Sequence, residues 1–141
     1  MAAAIQILSD STRETVVKLT NDGTTETAAL KVTAATLLGA LAVPLNELVI
    51  SEATWSVSND ATVALLWGAT TNVTCIELSG SSSLKVTGSE NFQLKNNGGA
   101  GVNGDILLTT RNWGATKSYT VILKLTKRAG YDRGGDPTVS V

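Results

Sequence analysis

The sequence predicts an all-β fold, an antiparallel β-sandwich or jelly roll formed by a single domain. The chain has 141 residues, the length of about one domain, and contains 20 Thr and 13 Gly but only 2 Pro. Thr favours strands because it is β-branched, and Gly supplies turns. Polar and apolar residues alternate in roughly seven to nine short segments, with turn residues about every 8–12 positions. No segment has the helical pattern that parallel βαβ units require.

Two strands and a turn are predicted near the start of the chain. Residues 14–20 alternate between polar and apolar side chains, as a strand with one buried face does. Residues 21–23 are Asn-Asp-Gly, a hairpin signal because Asp-Gly accepts positive φ. Residues 27–32 are therefore expected to return beside the first strand. Residues 33–43 have apolar spacings that suit a turn or one or two helical turns.

After Pro44 the alternation becomes more regular. Five further strands are predicted, at residues 48–57, 62–67, 73–78, 105–110 and 118–126. Two shorter strands are predicted at residues 84–86 and 92–94. The residues between these segments are rich in Gly, Asn, Asp and Ser, which form turns, and residues 79–83 are expected to be a flexible turn.

Residues 1–127 are predicted to form the β-sandwich domain, and residues 128–141 an extended C-terminal tail. The tail is Gly-rich and charged, so it buries too little apolar surface to order itself. Because it also carries Tyr131, we expect it to order against a groove or sheet edge of a neighbouring chain. Tyr131 is then the buried anchor, with Arg128 and Arg133 as steering charges. A frayed end without a role is the alternative.

The charge and composition argue against several classes of function. The chain has 11 Lys+Arg and 12 Asp+Glu, so it has no basic surface for nucleic acid or an anionic membrane. It has no His, which removes histidine-based catalysis and nearly all zinc sites. Residues 1–10 are too short an apolar stretch for a signal peptide, and no segment approaches the roughly 20 apolar residues of a membrane span. We therefore expect no enzymatic activity, no cofactor, no metal, and neither a nucleic-acid nor a membrane partner.

Three motifs with a chemical interpretation have a simpler structural one. Residues 99–104 spell G-x-G-x-x-G, but a strand follows them where a dinucleotide site needs a helix, so a loop is expected. Glu47 and Glu52 are five residues apart and would point to opposite faces of a strand, unlike a glycosidase pair. Cys75, the single cysteine, lies in an apolar run and is expected to be a small buried side chain.

The three Trp residues differ in their predicted roles. Trp55 and Trp67 lie on apolar faces of strands and are expected in the core. Trp113 follows Asn112 in a loop, where it is either the anchor of a small satellite core or a binding contact. Both interpretations stay open at this point. Trp113, Asn112 and Arg111 are therefore candidate contact residues for a partner.

The low charge favours assembly over an isolated monomer. Only 16% of the residues are charged, and the mean hydropathy is +0.14. Because the cores of interfaces are depleted of charge, such a chain suits burial against copies of itself or against a scaffold. A Thr- and Ser-rich monomer is the alternative.

Four segments of the chain carry a resemblance to a known group of proteins. They are Val16-Val-Lys-Leu19, Leu66-Trp-Gly-Ala-Thr-Thr-Asn-Val73, Asn97-Gly-Gly-Ala-Gly-Val-Asn-Gly-Asp-Ile106 and Ser118-Tyr-Thr-Val-Ile-Leu123. In this order they spread over most of residues 10–127 and resemble small virion structural proteins of tailed bacteriophages, a group well represented in marine phages and cyanophages. The resemblance implies a β-rich protein that is incorporated in the particle and has no catalytic residues.

The leading functional interpretation is a capsid decoration (cement) protein that docks on and stabilises the major capsid lattice. The resemblance implies the major capsid protein or another virion structural protein as partner, assembly in the bacterial cytoplasm and a final place in the virion. A homo-oligomer is expected, with a trimer favoured. The alternatives are a neck or tail adaptor, a fibre-associated subunit, or an adhesion module in which Trp113 holds a host glycan. Copy number in the particle separates them.

Overall fold

The structure is a computed structural model that describes residues 3–43, 46–85 and 94–132. Its strands are β1 (Ala3–Asp10), β2 (Glu14–Asp22), β3 (Ala29–Val32), β4 (Leu48–Val57), β5 (Thr62–Trp67), β6 (Val73–Leu78), β7 (Ser81–Lys85), β8 (Leu94–Lys95), β9 (Ile106–Arg111) and β10 (Ser118–Lys127). A single 3-10 turn, Ala34–Thr36, follows β3. The predicted all-β fold is confirmed.

The strands pair in a nested order. β2 pairs with β10, β3 with β9, β4 with β7 and β5 with β6, and each pair is antiparallel. Further pairing of β10 with β4 and of β9 with β5 joins them into two sheets, of order β1-β2-β10-β4-β7 and β3-β9-β5-β6, and the short β8 also pairs with β4. An antiparallel ribbon wound up in this way is a jelly roll, one of the two architectures predicted.

The core lies between the two sheets, because alternate residues of the central strands face inward. In β2 and β10 every second residue is buried over almost the whole strand. Leu19, Leu65, Leu108 and Leu123 have no exposed surface, and Trp67 is 1% exposed. Burying each such side chain contributes about 1.5–3 kcal/mol relative to leaving it in water. Apolar packing therefore holds the two sheets together.

Most strands lie where the alternation predicts them. β4, β5 and β6 have the predicted bounds, and β2, β3, β9 and β10 differ from prediction by at most two residues at an end. The single 3-10 turn confirms that residues 33–43 contain little helix. β7 begins at Ser81, within the segment expected to be a flexible turn. The short strand predicted at residues 92–94 falls mostly outside the described residues.

The predicted hairpin between β2 and β3 is wrong. The chain does turn at Gly23, which has a φ of 83°. It does not return beside β2, however, because β3 pairs with β9 in the opposite sheet. Two hydrogen bonds between Glu26 and Thr110 hold the β2–β3 connection against β9, in the second sheet. The Glu26 amide donates to Thr110 Oγ1 at 2.9 Å, and the Glu26 carbonyl accepts from the Thr110 amide at 2.9 Å. A local turn signal cannot report such a long-range contact.

Residues 128–132 pack against the body of their own chain. The Asp132 amide donates to the Gly39 carbonyl at 2.7 Å. Tyr131 has no exposed surface, and its hydroxyl donates to the Ala34 carbonyl at 2.7 Å. The predicted role of Tyr131 as an anchor in a neighbouring chain is therefore wrong, because this side chain fills the core of its own chain.

Candidate functional site: an uncovered apolar edge

Strand β1 presents core-type residues that, in the part of the chain that the structure describes, no strand of the second sheet covers. In its pairing with β2, Ile5 lies opposite Leu19 and Ile7 lies opposite Val17. Directly opposed residues of an antiparallel pair point to the same face, so both Ile side chains share the inward face of the sheet. Leu19 and Val17 are buried there, yet Ile5 and Ile7 are 48% and 52% exposed. The inward face of β1 is therefore apolar, and no described strand of the second sheet covers it.

The widths of the two sheets explain this exposure. The first sheet continues past β2 to β1, whereas the second sheet ends at β3. A groove of about 130 Å³ remains beneath β1. Five apolar residues and three polar ones line it: Ile5, Ile7, Val17, Val32 and Leu37, with Lys31, Thr33 and Thr36. Pockets for small molecules usually enclose about 300–1,000 Å³. The groove therefore suits side chains of a docked polypeptide better than a small-molecule ligand.

Exposed apolar residues are concentrated on this side of the molecule. Among the described residues, the large hydrophobic side chains that are exposed are Ile5, Ile7, Leu8, Leu30 and Leu38. Three lie on β1 and one on the adjoining edge strand β3, and the Leu38 amide donates to Asp10 Oδ2 at the end of β1. Single exposed hydrophobic residues are normal, but contiguous ones mark interaction sites. We name β1 together with Leu30 and Leu38 the β1 edge.

One end of the β1 edge is fixed by a buried cation. Lys127 Nζ donates to Asp10 Oδ1 at 2.5 Å and to the carbonyls of Ser11 and Leu38 at 2.6 and 2.7 Å. Thr15 Oγ1 donates to the same Asp10 oxygen at 2.8 Å. Partial burial acts to raise the pKa of Asp10, but the hydrogen bonds from Lys127, Leu38 and Thr15 outweigh it and hold the pKa below its usual range. Asp10 is thus held ionised beside the buried ammonium.

The loop between β9 and β10 holds a different cluster. Trp113 is half-buried, its Nε1 donates to Asn21 Oδ1 at 3.2 Å, and its ring centre lies 5.6 Å from that of Tyr119. Trp113 also packs against the main core. Trp113 therefore anchors the β9–β10 loop to the core. The neighbouring Asn112 Nδ2 donates to the Asp60 carbonyl.

Behind this loop lies a buried polar network that the sequence does not predict. Glu26 Oε1 accepts from Asn21 Nδ2 and from the Tyr119 hydroxyl, each at 2.7 Å, and Glu26 Oε2 pairs with Lys31 Nζ. The Glu26 and Lys31 side chains are 5% and 4% exposed. Burial, followed by the hydrogen bond to Glu26 and its negative charge, raises the pKa of Tyr119 well above its usual value. The network fixes the crossing from β2 to β3.

The six contact residues predicted from the sequence do not form one site. Three lie where β9 leads into the β9–β10 loop: Arg111, Asn112 and Trp113. Two follow the far end of β10: Arg128 and Tyr131. The ten residues of β10 separate the two groups by about 30 Å. Arg133, the sixth, lies outside the described residues.

The remaining motifs have structural positions. The G-x-G-x-x-G segment is a loop that leads into β9. Cys75 is half-buried against the core, and burial raises the pKa of its thiol to about 12. Trp67 lies in the core as predicted, whereas Trp55 is half-buried and its Nε1 donates to the Ser79 carbonyl at 3.0 Å. Within the described ranges, no three His, Cys, Asp or Glu residues are grouped to hold a metal ion, and no helix is long and apolar enough to cross a membrane.

The β1 edge is absent from the sequence-based prediction. Ile5 and Ile7 alternate as strand residues do, but the three Ala before them and Leu8 after them hide the pattern. No protein-family model, curated protein or solved structure matches the chain, so no relative identifies the edge. Its role follows from geometry and chemistry.

Proposed function

We propose that this protein is a non-enzymatic structural component of a tailed-phage virion, a capsid decoration protein that docks on and stabilises the major capsid lattice. The observation that supports the proposal most directly is the β1 edge, an uncovered apolar strand beside an otherwise well-packed sandwich. Exposed apolar side chains grouped on one strand, as Ile5, Ile7 and Leu8 are, are typical of surfaces where subunits meet. The resemblance of four segments to virion structural proteins points to the particle in which they meet.

The architecture suits this role. Jelly rolls form viral capsid domains but also lectins and cupins, so the fold alone does not assign a function. What the fold provides is a rigid body whose free strand edges a neighbour can extend. Two ion pairs, the partly buried Lys127–Asp10 pair and the buried Lys31–Glu26 pair, fix the chain near opposite ends of β10 through side chains alone. Such a body suits assembly in a reducing cytoplasm, where disulfides are rare.

The adhesion-module alternative has less support. It requires Trp113 to offer its ring to a sugar, but the indole already donates to Asn21 and packs beside Tyr119. A neck or tail adaptor, in contrast, would use the same β1 edge. Position in the particle, and not the shape of the subunit, separates the adaptor from a decoration protein.

Copy number in purified particles tests the proposal. Particles of a tailed phage that encodes this chain are run on a denaturing gel, and the band at 14.6 kDa is quantified against the major capsid protein. We expect hundreds of copies per particle. A dozen or fewer copies would assign the protein to the neck or tail, and its absence from the particles would overturn the virion role.

A further inference from the structure

We infer that the β1 edge binds a second copy of this chain, through antiparallel pairing of the two β1 strands around a two-fold axis. The first sheets of the two copies then become one continuous sheet, and each β1 becomes an interior strand. This inference deepens the proposed function, on which it rests, by naming the occupant of the uncovered edge.

β1 differs from the other described edge strands in the number of large apolar side chains that it exposes. Natural proteins guard their edges with charges, bulges or Pro, because an open edge pairs with any available strand. In the second sheet, β3 has a bulge at Lys31 and β6 carries Glu77, and at the far side of the first sheet β7 ends in Lys85. Residues 3–9 of β1 include no charge, and the bulge of β1, at Leu8, lies beyond the stretch that carries Ile5 and Ile7. Among the described edge strands, β1 thus carries the most exposed large apolar side chains: Ile5, Ile7 and Leu8, against Leu30 on β3 and none on β6 or β7.

The apolar pattern of β1 matches itself in one register. Pairing centred on Gln6 places Ile5 of each copy opposite Ile7 of the other. Centring on Ile5 would leave Ile7 opposite Ala3. Centring on Ile7 would leave Ile5 opposite Ser9. Opposed Cβ atoms lie about 4.5–5.5 Å apart, so in the Gln6 register the four Ile side chains form one apolar strip along the inward face.

The surrounding charges also permit a second copy. On β2, the charged residue opposite the middle of β1 is Lys18, which pairs with Gln6 on the outward face. In the two-fold arrangement the two Lys18 residues are three strand spacings apart, about 14 Å, which exceeds the Debye length of about 8–10 Å. Asp10 is already paired with Lys127 of its own chain. Neither Lys18 nor Asp10 therefore opposes the approach of a second copy strongly.

This pairing closes on itself and makes a dimer, in place of the trimer favoured by the sequence. A two-fold contact uses the same patch on both subunits, so no free β1 edge remains to recruit a third copy. The dimer covers Ile5 and Ile7 of both chains at once.

The mass of the full chain in solution tests the inference. Light scattering and sedimentation are expected to give twice the 14.6 kDa of the chain. Ile7→Lys places a charge in the apolar strip and is expected to raise the dissociation constant of the dimer at least about tenfold. Thr74→Lys, at an exposed position of the edge strand β6, is the matched control and is expected to leave the mass unchanged. A monomeric or trimeric wild-type chain, or a dimer insensitive to Ile7→Lys, would overturn the inference.

A disulfide trap tests the register without a charged substitution. In a Cys75→Ala background, Gln6→Cys places two thiols opposite each other across the axis, near the Cβ separation of about 3.5–4.5 Å that a disulfide requires. We expect disulfide-linked dimers from Gln6→Cys and none from Thr74→Cys in the same background. Absence of the Gln6→Cys dimer contradicts the pairing. A monomer present in hundreds of copies per particle would remove this inference alone, whereas a dimer absent from particles would remove the proposed function.

Discussion

Lys127 Nζ lies 2.5 Å from Asp10 Oδ1, and the Lys127 side chain has no exposed surface. The contact joins the last strand of the fold to the end of the first across 117 positions of sequence. The carbonyls of Ser11 and Leu38 accept the other ammonium protons, and the Tyr131 ring centre lies 5.4 Å from the nitrogen. A buried cation needs such partners, so this contact holds β1 in place and with it the β1 edge.

Asp10→Asn is expected to destabilise the fold by about 2 kcal/mol at pH 7, because it removes the counter-charge of a buried cation. The effect depends on pH because the folded pKa of Asp10 lies below its unfolded value of about 3.9. Ionised Asp10 therefore stabilises the native state above that value, and the contribution is lost as the pH falls through the folded pKa. Urea unfolding of the wild type and of Asp10→Asn, at neutral and at acid pH, measures the difference in their free energies of unfolding. This difference should become smaller at acid pH. An equal difference at both pH values would contradict this explanation.

The Glu26–Lys31 pair is expected to behave as one unit. Glu26→Gln alone should cost about 3–5 kcal/mol, because it leaves Lys31 buried without a counter-charge. Combining it with Lys31→Met should cost less than the sum of the single changes by at least about 1 kcal/mol, since the double variant buries no unpaired charge. Denaturant unfolding of the wild type, the two single variants and the double variant completes this double-mutant cycle. Strictly additive losses would show that the two side chains are not coupled.

Gly104→Ala and Gly99→Ala separate backbone strain from steric overlap. Both glycines have positive φ, 82° and 76°, so either substitution strains the backbone by about 1–2 kcal/mol. A Cβ on Gly104 would overlap the Asn46 carbonyl, whereas a Cβ on Gly99 would meet no atom within 4 Å. Gly104→Ala should therefore lower the melting temperature clearly more than Gly99→Ala. Equal shifts in the two variants would rule out the close approach at Asn46.

Tyr131 is expected to stabilise the isolated subunit. Tyr131→Ala should cost about 3–5 kcal/mol by emptying a fully buried site, whereas Tyr131→Phe should cost about 1 kcal/mol by removing the bond to the Ala34 carbonyl. Thermal unfolding of the dilute subunit measures both. A Tyr131→Ala variant as stable as the wild type would restore the tail-anchor hypothesis.

The Cys75 thiol is expected to be nearly inert in the native protein. Burial raises its pKa to about 12, so at pH 8 only about one thiol in 10,000 is ionised. Labelling with a disulfide reagent should be at least about a hundredfold slower in native protein than in urea. Equal labelling rates in native protein and in urea would show that the Cys75 thiol is accessible to the reagent in the native state.

The strands of the core are predictable because alternation with period two directly reports one buried face, as in β4 and β5. The crossing from β2 to β3 is not predictable, because the Asn-Asp-Gly turn allows β3 either to pair with β2 in a hairpin or to cross to the other sheet. The hydrogen bonds between Glu26 and Thr110, which are 84 positions apart, place β3 in the second sheet. Sequence patterns carry local preferences, whereas this decision depends on a contact between distant elements.

The candidate site is the least predictable part, for a related reason. Ile5 and Ile7 have the pattern of buried strand residues. No feature of the sequence around them indicates that the opposite sheet ends at β3. The predicted contact residues fail to converge because β10 separates Trp113 from Tyr131 by its whole length. Whether a face is covered is a property of strand order and sheet width, which emerge from the complete topology.

Incorporation of Ile7→Lys into particles tests most directly whether the β1 edge is an assembly surface. Particles are produced in cells that supply the wild-type chain, Ile7→Lys or Thr74→Lys, and the copies per particle are counted by quantitative mass spectrometry. We expect Thr74→Lys at the wild-type copy number and Ile7→Lys at less than about a tenth of it, since a charge in the apolar strip weakens the contact at least about tenfold. Equal incorporation of all three chains would contradict the assignment of the β1 edge to assembly.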